Sequence, residues 1–194
     1  MGATPFLFGK LPAHGDFVAR GLSDAEREAW DAWSTSALDA LRAQAGDGFE
    51  DAHGAAPPWR FVTGGGDRWR AGALAPSVDG AGRRYLLAVG ADGLSPAEAG
   101  AAGLAYADAA EAVIYEALGA GLNADAALQL AADRFADLAA ATADAARALA
   151  AAPAGPGAWW TLGSPDFAPC ALAAGRAPAD LFARTAARVP EPVG

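Results

Sequence analysis

Short apolar runs separated by glycine- and proline-containing turns dominate the first half of the chain. The run PFLFGKL at 5–11 predicts a strand, and Pro12 ends it because proline has no N–H to donate to a central ladder. Two aromatic-led runs, WRFVTG at 59–64 and WRAGALAP at 69–76, are separated by GGDR, which is a hairpin signal. RRYLLAVG at 83–90 predicts a further strand. Three successive runs with short connections favour an antiparallel meander over crossover units.

The pattern after residue 22 changes to the spacing of an amphipathic helix. Ser23 followed by Glu26 has the spacing of a capping box and predicts where the helix starts. Glycines at positions 46 and 48 predict its end. The apolar positions recur every three or four residues and define one face, formed by Trp30, Trp33, Ala37, Leu38 and Leu41.

The second half of the chain is predicted to be mainly helical. SPAE at 95–98 is another capping box, with proline at the first helical position, where it is tolerated. Glycines around residue 120 break this helix, and Asn123 is suited to cap the next one. Residues 95–152 are therefore expected to form an antiparallel helical pair that covers the sheet. AWWTLG at 158–163 predicts one more strand, and a brief helix is predicted at about 178–187.

These elements predict an α/β protein of the α+β type, with an antiparallel sheet flanked by helices. A chain of 194 residues suits a single domain, 1–194, with a core that needs neither disulfides nor a metal. Within it we expect an N-terminal strand–helix–meander section (5–90), the helical pair (95–152) and a C-terminal strand with a short helix (158–187).

Charge and cysteine content narrow the class of function. The formal net charge is −9, and a negative field disfavours general binding to nucleic acid or to anionic membranes. Cys170 is the one cysteine, so an intramolecular disulfide is excluded and a reducing compartment fits. The N-terminal residues lack a signal-peptide pattern, and no run approaches the roughly 18 apolar residues of a membrane helix. We therefore expect a cytoplasmic protein.

The candidate catalytic groups do not form a recognisable motif. Ser77, Asp79 and His14 would supply a nucleophilic triad, but no G-x-S-x-G elbow is present and nothing in the sequence places them together. Two histidines and one cysteine without paired spacing predict no metal site. The glycine clusters match neither phosphate-binding pattern, so no cofactor is predicted. Asp79 and Arg83 are instead expected to pair across a glycine-bent loop.

Six tryptophans fall in predicted structured segments. Tryptophan is usually highly buried, so most are expected in the core. The adjacent pair Trp159 and Trp160 is the expected exception, because neighbouring strand residues face opposite sides of a sheet. One of these two is therefore a candidate anchor for a partner.

Several blocks occur together in an order that resembles the TagF/ImpM family of type VI secretion-associated proteins. FGKLPAHGDF at 8–17 (the opening block) and PSVDGAGR at 76–83 (the second block) are specific in combination. The Trp30/Trp33 helix, WRF at 59–61 and WWTLG at 159–163 accompany them. Two positions depart from the family pattern: His14 stands where an arginine is frequent, and Tyr85 is followed by leucine instead of proline.

The resemblance implies a longin- or profilin-like fold and a non-enzymatic role. Family members are described as bacterial cytoplasmic repressors that act after translation through an Fha-type forkhead-associated component. The expected partner is therefore a protein of this class, with no cofactor and no nucleic acid. Two other classes remain open, a small hydrolase using Ser77, Asp79 or His14, and a longin-like adaptor for a small GTPase.

The candidate site residues come mainly from the two blocks. The predicted partner-binding residues, expected on the surface, are Lys10, His14, Asp16, Arg20, Arg83, Arg84 and Trp160. The residues predicted to shape the structure are Gly9, Pro12, Gly15, Trp30, Trp33, Trp59, Trp69, Ser77 and Asp79. No catalytic or metal-binding residue is predicted.

Overall fold

The computed structural model describes residues 3–148, 155–163 and 169–186, which contain seven strands and five α-helices. The strands are β1 (Thr4–Gly9), β2 (Val18–Arg20), β3 (Trp59–Gly65), β4 (Arg68–Val78), β5 (Arg84–Leu94), β6 (Gly157–Thr161) and β7 (Cys170–Ala173). The helices are α1 (Asp24–Ala45), α2 (Phe49–Ala55), α3 (Pro96–Gly119), α4 (Ala124–Ala148) and α5 (Ala183–Ala186), and a 3₁₀ turn, Gly46–Gly48, joins α1 to α2. None of the helices in these stretches is long and apolar enough to cross a membrane.

The described strands form one antiparallel sheet in the order β2-β1-β5-β4-β3-β6-β7. The predicted α/β class and the β3–β4–β5 meander are therefore confirmed. Gly65 pairs with Arg68 across the β3–β4 turn, and Gly66 adopts a φ of 56° in it. Such a turn favours glycine because a residue with a Cβ rarely adopts positive φ.

The predicted helix starts are confirmed by their caps. Ser23 Oγ accepts a hydrogen bond from the backbone N–H of Glu26, whose side chain accepts from the Ser23 N–H at 2.9 Å. Ser95 and Glu98 form the same box at the start of α3. Asn123 Oδ1 accepts from the N–H of Ala126 at 2.9 Å, which caps α4. These bonds satisfy N–H groups that have no partner within the helix.

Helices cover both faces of the sheet. Helices α3 and α4 pack on one face, whereas α1, with the chain around α5, packs on the other. In β6, Trp159 is buried in the α1-side core, whereas Trp160 is half-buried against the α3-side core. The expectation that these two rings face opposite sides is confirmed. The other tryptophans expected in the core, Trp33, Trp59 and Trp69, are buried, and Trp30 is half-buried.

Small residues let α3 lie close to the sheet. Most of the buried residues of α3 are alanines, and Gly103 faces Val62 of β3. A Cβ at position 103 would lie 2.9 Å from a Val62 methyl carbon, closer than real Cβ atoms are found. The alanine-rich composition of this helix therefore reflects close packing.

Several short elements and boundaries differ from the sequence-based prediction. Strands β2 and β7 and helix α2 were not predicted, because three to seven residues are too few to show a period. The first strand ends at Gly9 instead of residue 11, and β5 continues to Leu94 because β4 pairs with it along its whole length. The predicted C-terminal helix is confined to α5 after a turn, and residues 149–152 and 187 lie outside the described part of the chain.

Replacement of Gly9 tests the close approach of β1 to β5. Gly9 has a φ of 133°, and a Cβ there would lie 2.0 Å from the Leu86 carbonyl oxygen. Gly9→Ala is expected to lower the free energy of unfolding by about 3 kcal/mol or more, since it adds a clash to backbone strain. Urea denaturation followed by tryptophan fluorescence measures the loss.

Gly15→Ala is the matched control, because a Cβ at position 15 meets no atom within 4 Å. It should change the free energy of unfolding by no more than about 0.5 kcal/mol. Similar losses for the two variants would contradict this account of the strand contact.

Candidate partner-binding surface

The sheet brings the opening block and the second block to the same end of its strands. Strands β1 and β4 both run antiparallel to β5, which lies between them. The end of β1, the end of β4 and the start of β5 therefore meet at one end of the sheet. The loops that follow β1 and β4 carry most of the nominated residues, although more than sixty positions separate them in sequence.

Hydrogen bonds join these two loops directly. Ser77 Oγ donates to the Lys10 carbonyl at 2.6 Å, and the Gly80 N–H donates to the His14 carbonyl at 2.7 Å. The guanidinium of Arg83 donates to the Gly15 carbonyl. Gly80 also allows the loops to approach, since a Cβ there would lie 3.0 Å from the Pro12 carbonyl oxygen. Gly15 and Ser77, both predicted to shape the structure, thus take part in contacts between the two segments.

Asp79 organises the second loop through four hydrogen bonds. Its carboxylate accepts from Lys10 Nζ at 2.9 Å and from Arg83 Nε at 2.6 Å. It also accepts from the backbone N–H groups of Ala81 and Arg83 at 3.0 and 2.9 Å. The Lys10 ammonium, together with these donors, holds the pKa of Asp79 well below its usual range. The predicted Asp79–Arg83 pair is confirmed, and Lys10 is a second partner.

Lys10 is buried, with 6% of its surface exposed, so the expectation that it lies on the surface is wrong. Its ammonium lies 2.9 Å from Asp79, 4.8 Å from the centre of the Phe17 ring and 5.8 Å from that of Tyr85. A charge at this depth is tolerated because a carboxylate and aromatic faces replace its water. Lys10 therefore lies beneath the two loops and stabilises them through Asp79.

His14 and Arg20 connect the opening block to the start of α4. His14 Nε2 accepts a hydrogen bond from the Ala124 N–H at 2.9 Å, and Arg20 Nε donates to Asp125 Oδ1 at 2.7 Å. The acceptor nitrogen of His14 must be unprotonated in this contact. An arginine at position 14 has no acceptor, so it would be unable to make this bond. Both nominated side chains have an intramolecular role.

The three remaining predicted partner-binding residues lie in different parts of the structure. Asp16 is exposed, and its carboxylate accepts from the N–H of Phe17 at 2.7 Å. Arg84 is half-buried and bonds Glu50 of α2 at 2.7 Å. Trp160 lies on β6, which β5, β4 and β3 separate from β1. Asp16 belongs to the joined loops, whereas Trp160 is well away from them.

Phe17 is a surface residue that was not among the predicted site residues. Its side chain is 48% exposed and meets the Tyr85 ring edge-on, with the centroids 4.6 Å apart. Tyr85 is itself held by Asp31 of α1, to whose carboxylate its hydroxyl donates at 2.8 Å. The sequence signal that could have identified Phe17 is the presence of an aromatic residue directly after the polar turn AHGD. We define the motif surface as six of the exposed residues of the two loops, Asp16, Phe17, Gly80–Gly82 and Arg83.

The hydroxyl and imidazole groups considered for a triad have other hydrogen-bond partners. The Ser77 hydroxyl donates to the Lys10 carbonyl, and His14 Nε2 accepts from the backbone of α4. A Ser–His relay needs the serine hydroxyl to donate to a histidine nitrogen, whereas the Ser77 hydroxyl donates to a backbone carbonyl. His53 is buried, and its Nε2 lies 2.6 Å from the Tyr85 carbonyl oxygen. Burial lowers the pKa of His53, which favours its neutral form.

Comparison with known proteins identifies relatives of this chain. A family model described as the TagF N-terminal domain, type VI secretion system-associated, matches residues 7–134. That range contains both blocks. The chain is also similar to the crystal structure of PA0076 from Pseudomonas aeruginosa PAO1, with 26% identity, a TM-score of 0.69 and 93% of each chain covered. No curated protein matches the chain.

Removing Lys10 tests its role beneath the motif surface. Lys10→Met leaves the buried Asp79 carboxylate without its ammonium partner, whereas Arg83→Met removes a partner whose side chain is 60% exposed. The drop in urea midpoint should be more than about twofold larger for Lys10→Met, because water screens the exposed pair. Equal drops would show that burial does not distinguish the two contacts.

Acid titration tests the ionised state of Asp79. Its folded pKa lies below its unfolded value of about 4. Its contribution to stability is therefore fully present above that value and lost as the pH falls through the lowered folded pKa. Asp79→Asn should be less stable near neutrality and should lose less stability between about pH 4 and pH 2. Urea denaturation across this range checks the difference, and parallel acid slopes would contradict it.

Proposed function

The chain belongs to the TagF N-terminal domain family of type VI secretion system-associated proteins, and we propose that it is a non-enzymatic cytoplasmic repressor of that system. It acts after translation by binding an Fha-type forkhead-associated component through the motif surface. The observation that carries this proposal is the exposed Phe17 ring, held by Tyr85 above the buried Lys10–Asp79 pair within the family match.

A rigid exposed aromatic ring is suited to anchor a protein partner. Interface energy is concentrated in a few residues, among which aromatic side chains are enriched. The loss of conformational entropy when a flexible side chain is ordered opposes binding. This loss is smaller for Phe17, because its ring already packs against Tyr85 and Lys10. Asp16 and Arg83 flank the ring with polar groups, as expected of an interface rim.

Charge also supports an Fha-type partner. Forkhead-associated domains recognise phosphorylated or acidic segments through arginine clusters. The chain carries a net charge of −9, which is opposite in sign to such an arginine cluster and would favour association at low salt. This long-range attraction complements the local contact made by Phe17.

Pull-down and calorimetry with the purified Fha-type protein test this proposal. Phe17→Ala should weaken binding at least about tenfold, because it removes the exposed anchor and leaves the Lys10–Asp79 pair in place. Leu104→Ala is the matched control, since Leu104 is an apolar residue of α3 that is 67% exposed and lies outside the motif surface. Equal effects of the two variants would contradict the role of the motif surface.

The function itself has a separate readout. Overproduction of the chain should reduce type VI secretion, and Phe17→Ala should restore it. Failure of the unaltered chain both to bind the Fha-type protein and to change secretion would refute the proposal. Labelling of Ser77 by a hydrolase probe would contradict its non-enzymatic part, and a nucleotide-dependent partner would indicate the GTPase adaptor class.

A further inference from the structure

A cavity of about 460 Å³ lies at the opposite end of the sheet from the motif surface. It is bounded by α1, by the β3–β4 end of the sheet, by β6 and by the segment 175–177. Arg70 near the start of β4 lines it, whereas Asp79 follows the end of that strand, so the cavity and the motif surface share no residue. Its volume lies in the range of small-molecule sites.

Four aromatic rings form one apolar side of this cavity. The Phe61 and Trp159 rings are stacked, with centroids 4.6 Å apart, and Trp33 lies 6.4 Å from Trp159. Trp30 lies 5.8 Å from Trp33 and 6.1 Å from Phe61. Trp33 Nε1 donates to the Ala177 carbonyl at 2.9 Å, which holds the segment 175–177 against α1. The cavity therefore presents a preformed surface suited to a flat apolar group.

The carboxylates in the lining are already neutralised. Arg68 makes two hydrogen bonds to Asp92, at 2.6 and 3.1 Å. Arg70 bonds Glu26 at 2.7 Å and Asp92 at 3.0 Å. The hydrogen bonds from Ser23, followed by the contact with Arg70, lower the pKa of Glu26 to about 2, so it is ionised and paired near neutral pH.

Arg176 differs from the other charged residues of the lining in its lack of a partner among the described residues. It is exposed and lines the cavity, and it has no ion pair or hydrogen bond within the described part of the chain. With Arg68 and Arg70 it gives three arginines against two carboxylates, in a protein whose net charge is −9. Trp159 adds an indole N–H that is buried without a hydrogen-bond partner among the described residues. The lining thus favours an anion and disfavours a cation.

We propose that this cavity binds a small planar aromatic carboxylate. The ring lies against the indole groups, of which that of Trp30 is half-buried, and the carboxylate pairs with Arg176. The guanidinium fork matches carboxylate geometry, and such charge-assisted bonds are stronger than neutral ones. This binding site is independent of the motif surface and does not rest on the proposed repressor function.

Three probes of the same ring system test the charge preference with the full chain. 2-Naphthoate, 2-naphthamide and 2-naphthylmethylammonium carry an anionic, a neutral and a cationic group. By isothermal titration at low salt, 2-naphthoate should bind with a Kd of about 0.1–1 mM, and the cation at least about tenfold more weakly. Equal affinity of the three probes, or preference for the cation, would overturn the proposal.

Paired variants locate the site. Arg176→Gln should weaken 2-naphthoate about five- to tenfold and leave 2-naphthamide unchanged, because it removes the charge alone. Ala29→Phe fills the cavity beside α1 from an exposed helix position and should abolish binding of all the probes. A Tm close to that of the unaltered chain verifies that each variant folds.

Two variants on the other face of the sheet serve as matched controls. Arg134→Gln changes an arginine of α4 that pairs with Glu116, and Ala112→Phe changes an exposed alanine of α3. Both should leave 2-naphthoate binding unchanged. Weakening by Arg134→Gln equal to that by Arg176→Gln would show a general charge effect and overturn the assignment of the site.

Discussion

The buried Lys10–Asp79 ion pair is the contact on which the arrangement of the two motif loops depends. Removing two charges from water is tolerated only when both are well compensated. Asp79 has four hydrogen bonds to Lys10 and to its own loop, and Lys10 has a carboxylate with two aromatic rings nearby. This requirement leaves little freedom for the loops, and it places Phe17 where its ring is exposed.

Burial of both faces of the sheet explains why its two ends carry the surfaces of interest. Helices α3 and α4 cover one face and α1 covers the other, so strand side chains are directed into two cores. Loops and strand ends remain available for contacts. One end carries the motif surface, and the other carries the aromatic cavity with its arginines. Their separation allows a partner and a small ligand to bind without competing for the same residues.

Structure that depends on local sequence signals was predicted correctly. The capping boxes at Ser23 and Ser95 and the hairpin between β3 and β4 each occupy a few consecutive residues. The surface position expected of Lys10 was wrong, because a lysine in a turn-rich block is usually exposed and only the contact with Asp79 explains its burial. The exposure of the Phe17 ring was not predicted, because it depends on packing around Tyr85, far along the chain.

The sequence by itself determined the secondary structure of the long elements, the antiparallel meander and the family resemblance, since these depend on short-range periodicity, turn chemistry and motif order. The tertiary structure alone decided which charged side chains are buried and which have no partner among the described residues. His14 became an acceptor for α4, and Arg176 remained unpaired among the described residues. The cavity required Trp30, Phe61 and Trp159 to meet from three distant segments. The spacing of residues along the chain does not predict such contacts, because they form between segments that are far apart in sequence and meet only in the folded structure.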